Sequence, residues 1–416
     1  MLFAAASFAT GALFGPSVPP LEEARRRAVS PARKEFEVSL LNGADELTLA
    51  VLIGAEERHS DDTPSAVVQE VFTAIDELAS KIERRISFEN ALGGIEAASM
   101  LRSLEMERQC LAVSTTLFGA AGAPDDSEAA AGEKPFFSGN ADNYYDPANS
   151  FVDQVLSRRA GIPISLSLVY KACAERVGTT LVGLNAPSHL LLAPEADPSL
   201  FAIDPFEGTL MNADALKTFV QARLPPQLPA EAVDDFISSR LLAQPMTRFD
   251  WIARSLRNLR YVYANANDDV RLLGAAERLL LLANAQAESS NAGSTAAAGA
   301  PGGGSSGGGT ITSSSSSGGG GSGGGSSSSS GGSSSDGKPR DDSRAEPTVT
   351  PQEVRQCERE IAICLCRLED MDRREEAREY LTRSISGSTA SDAALPEQAK
   401  AQIRELLETE PYFAAS

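Results

Sequence analysis

Apolar residues recur at helical spacing towards both ends of this chain and gather into short runs only near its middle. From Glu46 to about Ile86, Leu47, Leu49, Val51 and Leu52 form one apolar stretch, and Val67, Val71, Ile75 and Leu78 form another at the three- and four-residue steps of a helix face. Asp61, Asp62 and Thr63 before Pro64 mark a helix start: short polar side chains accept from free first-turn N–H groups, and proline loses nothing there. A further helix is predicted over Gly94 to Leu117, then a loop rich in Gly, Asp and Pro over Gly119 to Gly139. The N-terminal third reads as a helical layer.

The centre changes character. Asn149 or Ser150 is placed to cap a helix carrying Phe151, Val155 and Leu156, with Gly161 as its left-handed stop. Pro163 opens the next helix, which buries Leu168, Val169, Ala172 and Val177 and ends at Gly178. Strands are predicted over Thr180 to Leu184, Leu190 to Ala193 and Leu200 to Ile203, and helix followed by strands gives an α+β class. Helices return over Arg248 to Ala264, Asp268 to Ala287, Pro351 to Met371, Arg374 to Ile385 and Pro396 to Glu408. A Ser/Gly tract at 288–346 divides them and offers too little apolar surface to offset its ordering entropy. We read it as a disordered insertion splitting one helical array, because the helices on either side are too few for two separate cores.

Composition narrows the function classes. A chain of 416 residues with 42% hydrophobic content can build a sizeable core, and a net charge of −20 argues against a nucleic-acid partner. The five cysteines are scattered over helical segments, as reduced thiols would be, and with only His59 and His189 available no metal site is predicted and no cofactor is called for. The apolar start MLFAAASFATGALFG is too short to span a bilayer comfortably. Followed by Arg25, Arg26 and Arg27 it fits a plastid or other organellar presequence; a frayed terminus is the alternative, and Glu22 and Glu23 are atypical of acid-poor transit segments. No membrane partner is expected.

The chemistry-bearing residues lie between Tyr144 and Gly208. Ser165 heads a helix, His189 precedes an apolar run and Asp204 ends one, which is the order of a nucleophile, a base and an orienting acid. Each residue has a plain structural alternative: Ser165 as a first-turn hydroxyl satisfying a free amide, His189 as a turn brace, Asp204 as a turn former before proline. Cys173, two helical turns beyond Ser165, reads as a core thiol. Arg158 and Arg159 read as a pair favourable to a helix C-terminus, and Arg254, Arg257, Asn258 and Tyr261 share one helix face, as groove lining or solvated surface.

The run YYDPANSFVDQVLSRRAGIPISLSLVY resembles the SirB-type transglutaminase-like family, and Pro187-Ser188-His189 and Ile203 to Gly208 resemble that family's Pro-Gly-His and Ile-Asp-Pro-Phe-x-Gly elements. The resemblance covers about Glu46 to Leu407 apart from the insertion. It implies a papain/transglutaminase-like core with an N-terminal helical layer and C-terminal tetratricopeptide-like helical repeats. Active transglutaminase-like enzymes carry a cysteine at the helix start; motif position places Ser165 there, give or take Ser167. Ser188 stands where the family often has glycine. The expected organisation is a targeting or disordered segment at 1–43, helical layer plus core at 44–243, and tail at 244–287 and 347–411. Two functions follow: a catalytically degenerate module whose partner is another protein or peptide, or a serine-nucleophile amide hydrolase or acyl transferase using Ser165, His189 and Asp204.

Overall fold

The computed structural model describes residues 19–58, 63–93, 102–119, 136–298, 348–386 and 396–413. The chain opens with α1 (Pro20–Ala28) and α2 (Pro31–Leu41), each with proline in its first turn, and Ser30 Oγ accepts from Arg33 N–H at the start of α2. Residues 20–41, expected within a targeting or disordered segment, are thus helical rather than disordered. Phe36 and Leu40 are fully buried, and ion pairs hold the pair of helices to the rest of the molecule. The apolar residues 1–18 lie outside the described residues.

Helices α3 (Glu46–Ala55), α4 (Pro64–Gly93) and α5 (Arg102–Phe118) form the expected layer. Asp45 caps α3 through Thr48 N–H at 2.7 Å, and Thr63 caps α4 through Ala66 N–H at 3.2 Å; Asp61 and Asp62 lie outside the described residues. Next come β1 (Ser138–Gly139), a 3-10 turn over Pro147–Ser150, α6 (Val152–Arg158), β2 (Ala160–Gly161) and α7 (Pro163–Arg176). Asn149 and Ser150 sit inside the 3-10 turn rather than capping α6, and the left-handed residue ending α6 is Arg159 (φ 57°), not Gly161. Gly161 instead joins a two-residue parallel bridge with β1, and a side chain there would crowd Ser165 Oγ to 2.9 Å.

The sheet is antiparallel in the order β3 (Leu181–Leu184), β4 (Leu191–Pro194), β5 (Ala202–Asp204), β6 (Thr209–Met211). The third strand starts two residues later than predicted, and β6 carries too few apolar residues to stand out from sequence. Alternation along the strands sends Leu181, Leu192 and Ile203 into the main core, while Val182, Leu184, Leu191 and Ala202 face a second cluster. That cluster is closed by α8 (Ala213–Gln221) through Leu216 and Val220, and by the π-helical turn Phe236–Leu242 that follows α9 (Ala230–Asp235). Gly183 is required on the inner face, where a Cβ would lie 2.6 Å from the buried Trp251 ring.

The tail comprises α10 (Arg248–Ala266), α11 (Asp269–Ala298), α12 (Pro351–Arg367), α13 (Arg374–Ser386) and α14 (Glu397–Thr409), with consecutive helices packed together. Gln286 on α11 accepts from Thr348 N–H at 2.8 Å and donates to its hydroxyl at 3.1 Å, so the chain leaves and rejoins the array at one place. Residues 288–298, expected to belong to the disordered insertion, instead continue α11, and the remainder of that tract, 299–346, lies outside the described residues. Arginines bolt the first helices to this tail: Arg27 and Arg271 share Glu57 at 2.8 Å each, Arg33 reaches Glu277 at 2.6 Å, and Glu56 is enclosed by Arg33 and Arg278. Among the described residues no helix is long and apolar enough to cross a membrane.

Candidate functional site

Ser165 is the third residue of α7, with Pro163 at the first position. Its hydroxyl accepts from Ile162 N–H at 3.2 Å and donates to the Asn149 carbonyl at 2.6 Å, with the Ile162 carbonyl at 3.1 Å. This is half of a capping box: a side chain in the first turn reaches back to satisfy an amide that has no helical acceptor. Ser167, the neighbouring candidate, is also buried and donates to the Pro163 carbonyl at 2.6 Å. Asn149 extends the lock outward, because its side chain donates to the Asn143 carbonyl at 2.7 Å and accepts from Asn140 at 3.0 Å. The Tyr144–Tyr145 loop is thereby tied to the head of α7.

His189 and Asp204 meet as predicted. His189 Nε2 lies 2.9 Å from Asp204 Oδ1, an oxygen that also accepts from Phe206 N–H at 2.9 Å. The turn at Pro205 and Phe206 folds back over the carboxylate, and Gly208 N–H closes it on the Asp204 carbonyl at 2.7 Å. The residue presenting the imidazole is Ser188 at φ 54°, a left-handed conformation that suits the glycine of the resembled motif better than a side chain. Phe206 and Phe219 flank the ring edge-on, with centroids at 6.5 and 5.4 Å, and the Arg223 guanidinium covers Phe219 at 3.4 Å. Ser165 makes no hydrogen bond to His189: every polar partner of its hydroxyl is a backbone group. The three candidates therefore divide into a dyad and a separate helix-start lock.

Residues 69–257, from α4 to α10, match the Transglutaminase-like superfamily. The chain carries a transglutaminase-like core. It is 38% identical to a UPF0162 protein of Xylella fastidiosa over 158 residues, which is 38% of this chain and 54% of that protein. A UPF0162 protein of Vibrio cholerae is 32% identical over 114 residues, 26% of this chain and 42% of that one. The human F-box only protein 21 is 34% identical over 128 residues, 30% of this chain and 18% of its own length. The chain thus spans about half the length, or less, of the curated relatives it matches. No solved structure matches it.

A cysteine nucleophile acts as its thiolate, and the pKa of every cysteine here moves the wrong way for that. Burial pushes Cys110, Cys173 and Cys357 up to about 12 and Cys366 up to about 11, and it raises Cys364 as well. Cys173 is fully enclosed in α7, as its apolar setting predicted. Among the described residues no group of three or more His, Cys, Asp or Glu side chains is placed to hold a metal ion.

Two parts of the site escaped the sequence reading. Phe219 lies on α8, a stretch left unassigned, although Leu216 and Val220 four residues apart behind the Asn212 cap carried the pattern. The second is a cleft of about 790 Å³ whose walls include Tyr145, Phe151, Tyr261 and Val262, with Arg58 and Arg271 at its polar side. It lies between the end of α3, the 3-10 turn and α10, segments far apart in sequence.

Proposed function

We propose that this protein is a catalytically degenerate transglutaminase-like module, of the SirB type by its motifs, that binds a partner protein and performs no acyl transfer. The observation carrying this reading is the Ser165 hydroxyl, which has its donor and acceptor capacity taken up by Asn149 and Ile162 while no thiol is activated to replace it. In this reading His189–Asp204 is a clamp between the β4 approach and the turn after β5, with the Asp204 carboxylate serving two amides and an imidazole edge. The short share of the F-box only protein covered by the match, 18% of its length, supports use of the core as one module within a longer chain.

The intact dyad favours a second reading, a serine-nucleophile amide hydrolase or acyl transferase. There His189 takes the Ser165 proton and Asp204 holds the imidazole, which requires the hydroxyl to leave both backbone partners. Labelling the purified protein with fluorophosphonate and iodoacetamide probes, mapped by mass spectrometry, separates the two. The module reading expects silence at Ser165; stoichiometric modification there, lost in His189→Ala, refutes it.

A further inference from the structure

The helix face that carries Arg254 also carries Asn258, Tyr261 and Asn265, at steps of four, three and four along α10. Its members have separate fates. Asn258 donates to Ser150 Oγ at 2.9 Å and holds α10 on the core. Tyr261 and Asn265 line the 790 Å³ cleft. Arg254 lies at the opposite end, bonded to the amide oxygen of Asn185 in the loop that leads to His189. The stripe runs from the His189 loop to the cleft.

Two features make this face unfinished. The neighbouring arginines of α10 both have carboxylates, Arg257 with Glu353 at 2.6 Å and Arg260 with Glu360 at 2.8 Å. Among the described residues Arg254 has no carboxylate within ion-pair distance; burial, with Arg257 adding to it, depresses its pKa, and the tyrosine hydroxyl of Tyr144 is the opposing group. Tyr144, next to Arg254, packs on Tyr145 at 5.3 Å, and Tyr145 in turn meets Tyr261 at 5.2 Å, these two leaving 58% and 55% of their surface exposed. Exposed, mutually supported tyrosines beside a desolvated cation are the usual make-up of a recognition hot spot, because rigid rings bury large area at little entropic cost.

Resting on the partner-binding reading above, we infer that this face of α10 is a track for an extended peptide segment of the partner, one that sets an acidic side chain on Arg254 and an aromatic or large aliphatic side chain in the Tyr145–Tyr261 cleft. Charge complementarity selects the acid, since a guanidinium without a counter-charge gains most from a carboxylate. Arg254 and the cleft mark the two ends of the stripe, with Asn258 bonded to Ser150 between them, and an extended chain reaches both ends where a compact ligand does not. The spacing follows from helix geometry: the seven steps from Arg254 to Tyr261 span ~10 Å. An extended peptide covers that in about three residues.

The test uses the full chain and fluorescein-labelled nonapeptide pools with Asp-x-x-Phe or Phe-x-x-Asp fixed and Ala, Ser or Gly elsewhere, against a pool with Lys for Asp, read by fluorescence anisotropy. One acidic pool binds at least about ten-fold more tightly than the lysine pool, and Arg254→Gln and Tyr261→Ala each weaken it about ten-fold. Tyr261 is half exposed, so its variant keeps the fold, checked by circular dichroism. No binding of either acidic pool, equal affinity for the lysine pool, or binding unchanged in both variants overturns the track. Mass spectrometry of the recovered peptide tests the underlying reading separately: cleavage that disappears in His189→Ala defeats the non-catalytic module and leaves the track standing.

Discussion

Replacing Ser165 by alanine separates a helix lock from a nucleophile. The substitution removes an oxygen that accepts the Ile162 N–H at 3.2 Å and supplies a proton to the Asn149 carbonyl at 2.6 Å. Asn149 and Ile162 are 0% and 1% exposed, so water does not replace what is lost. A buried polar group left without its partner costs ~1–3 kcal/mol, and a lost helix-start bond alone costs ~1 kcal/mol. Taking ~2 kcal/mol, the melting temperature falls by ~4–8 °C at the sensitivity of a unit of this size. The chain has a single tryptophan, Trp251, fully buried against Gly183, so its fluorescence in a urea titration reports the core directly. Ser165→Cys also destabilises, because a thiol is a poorer donor and Gly161 leaves no slack, and it confers no acyl transfer because the side chain faces the Asn149 carbonyl. Stability of Ser165→Ala within ~0.3 kcal/mol of wild type, together with loss of fluorophosphonate labelling, refutes the lock, since the bonds above predict at least ~1 kcal/mol.

Three further outcomes follow from the same structure. The thiols of Cys110, Cys173 and Cys357 rise from 9.0 to about 12 on folding, so the unfolded chain ionises first. Their contribution is whole below pH ~9 and lost as pH rises towards ~12, at a cost on the order of 1 kcal/mol each by pH 10; urea titrations between pH 8 and 10 show a shallower decline for Cys173→Ala than for wild type. Glu56→Gln strips the counter-charge from Arg278, whose side chain is 6% exposed, and lowers stability by ~3–5 kcal/mol in the same titration, whereas Arg25→Ala at the surface has a much smaller effect. Replacing residues 290–346 with a short Gly/Ser turn leaves the melting temperature nearly unchanged, because Gln286 already holds Thr348; a large drop shows that the tract itself supports the array.

Much of the fold could be read along the chain because helices announce themselves locally. The tail helices, α7 with its proline start, and the first two strands follow from periodicity and punctuation, which depend on residues a few positions apart. The His189–Asp204 pair was legible too, since consecutive strands of an antiparallel sheet bring their ends together. The misplaced features were those in which tertiary packing overrode local preference. Arg159 takes the left-handed position, its guanidinium 4.4 Å from the Phe136 ring, and Gly161 is reserved for contact with Ser165. The order of residues 20–43 was not legible because the groups that hold their arginines, Glu57, Glu277 and Asp370, come from across the molecule.

The sequence by itself determined which residue types stand in the site region: a serine at a helix start, a histidine and an aspartate in order, and a helix face with an arginine and a tyrosine seven apart. Only the tertiary structure decided what each one faces. Ser165 turns to Asn149 and Ile162 because a buried amide and carbonyl must be satisfied, and α12 brings its glutamates to Arg257 and Arg260, leaving Arg254 without a carboxylate among the described residues. Hydrogen bonds and ion pairs are matched in space across segments as much as 345 residues apart, and one chain order is compatible with many such matchings until the core is packed.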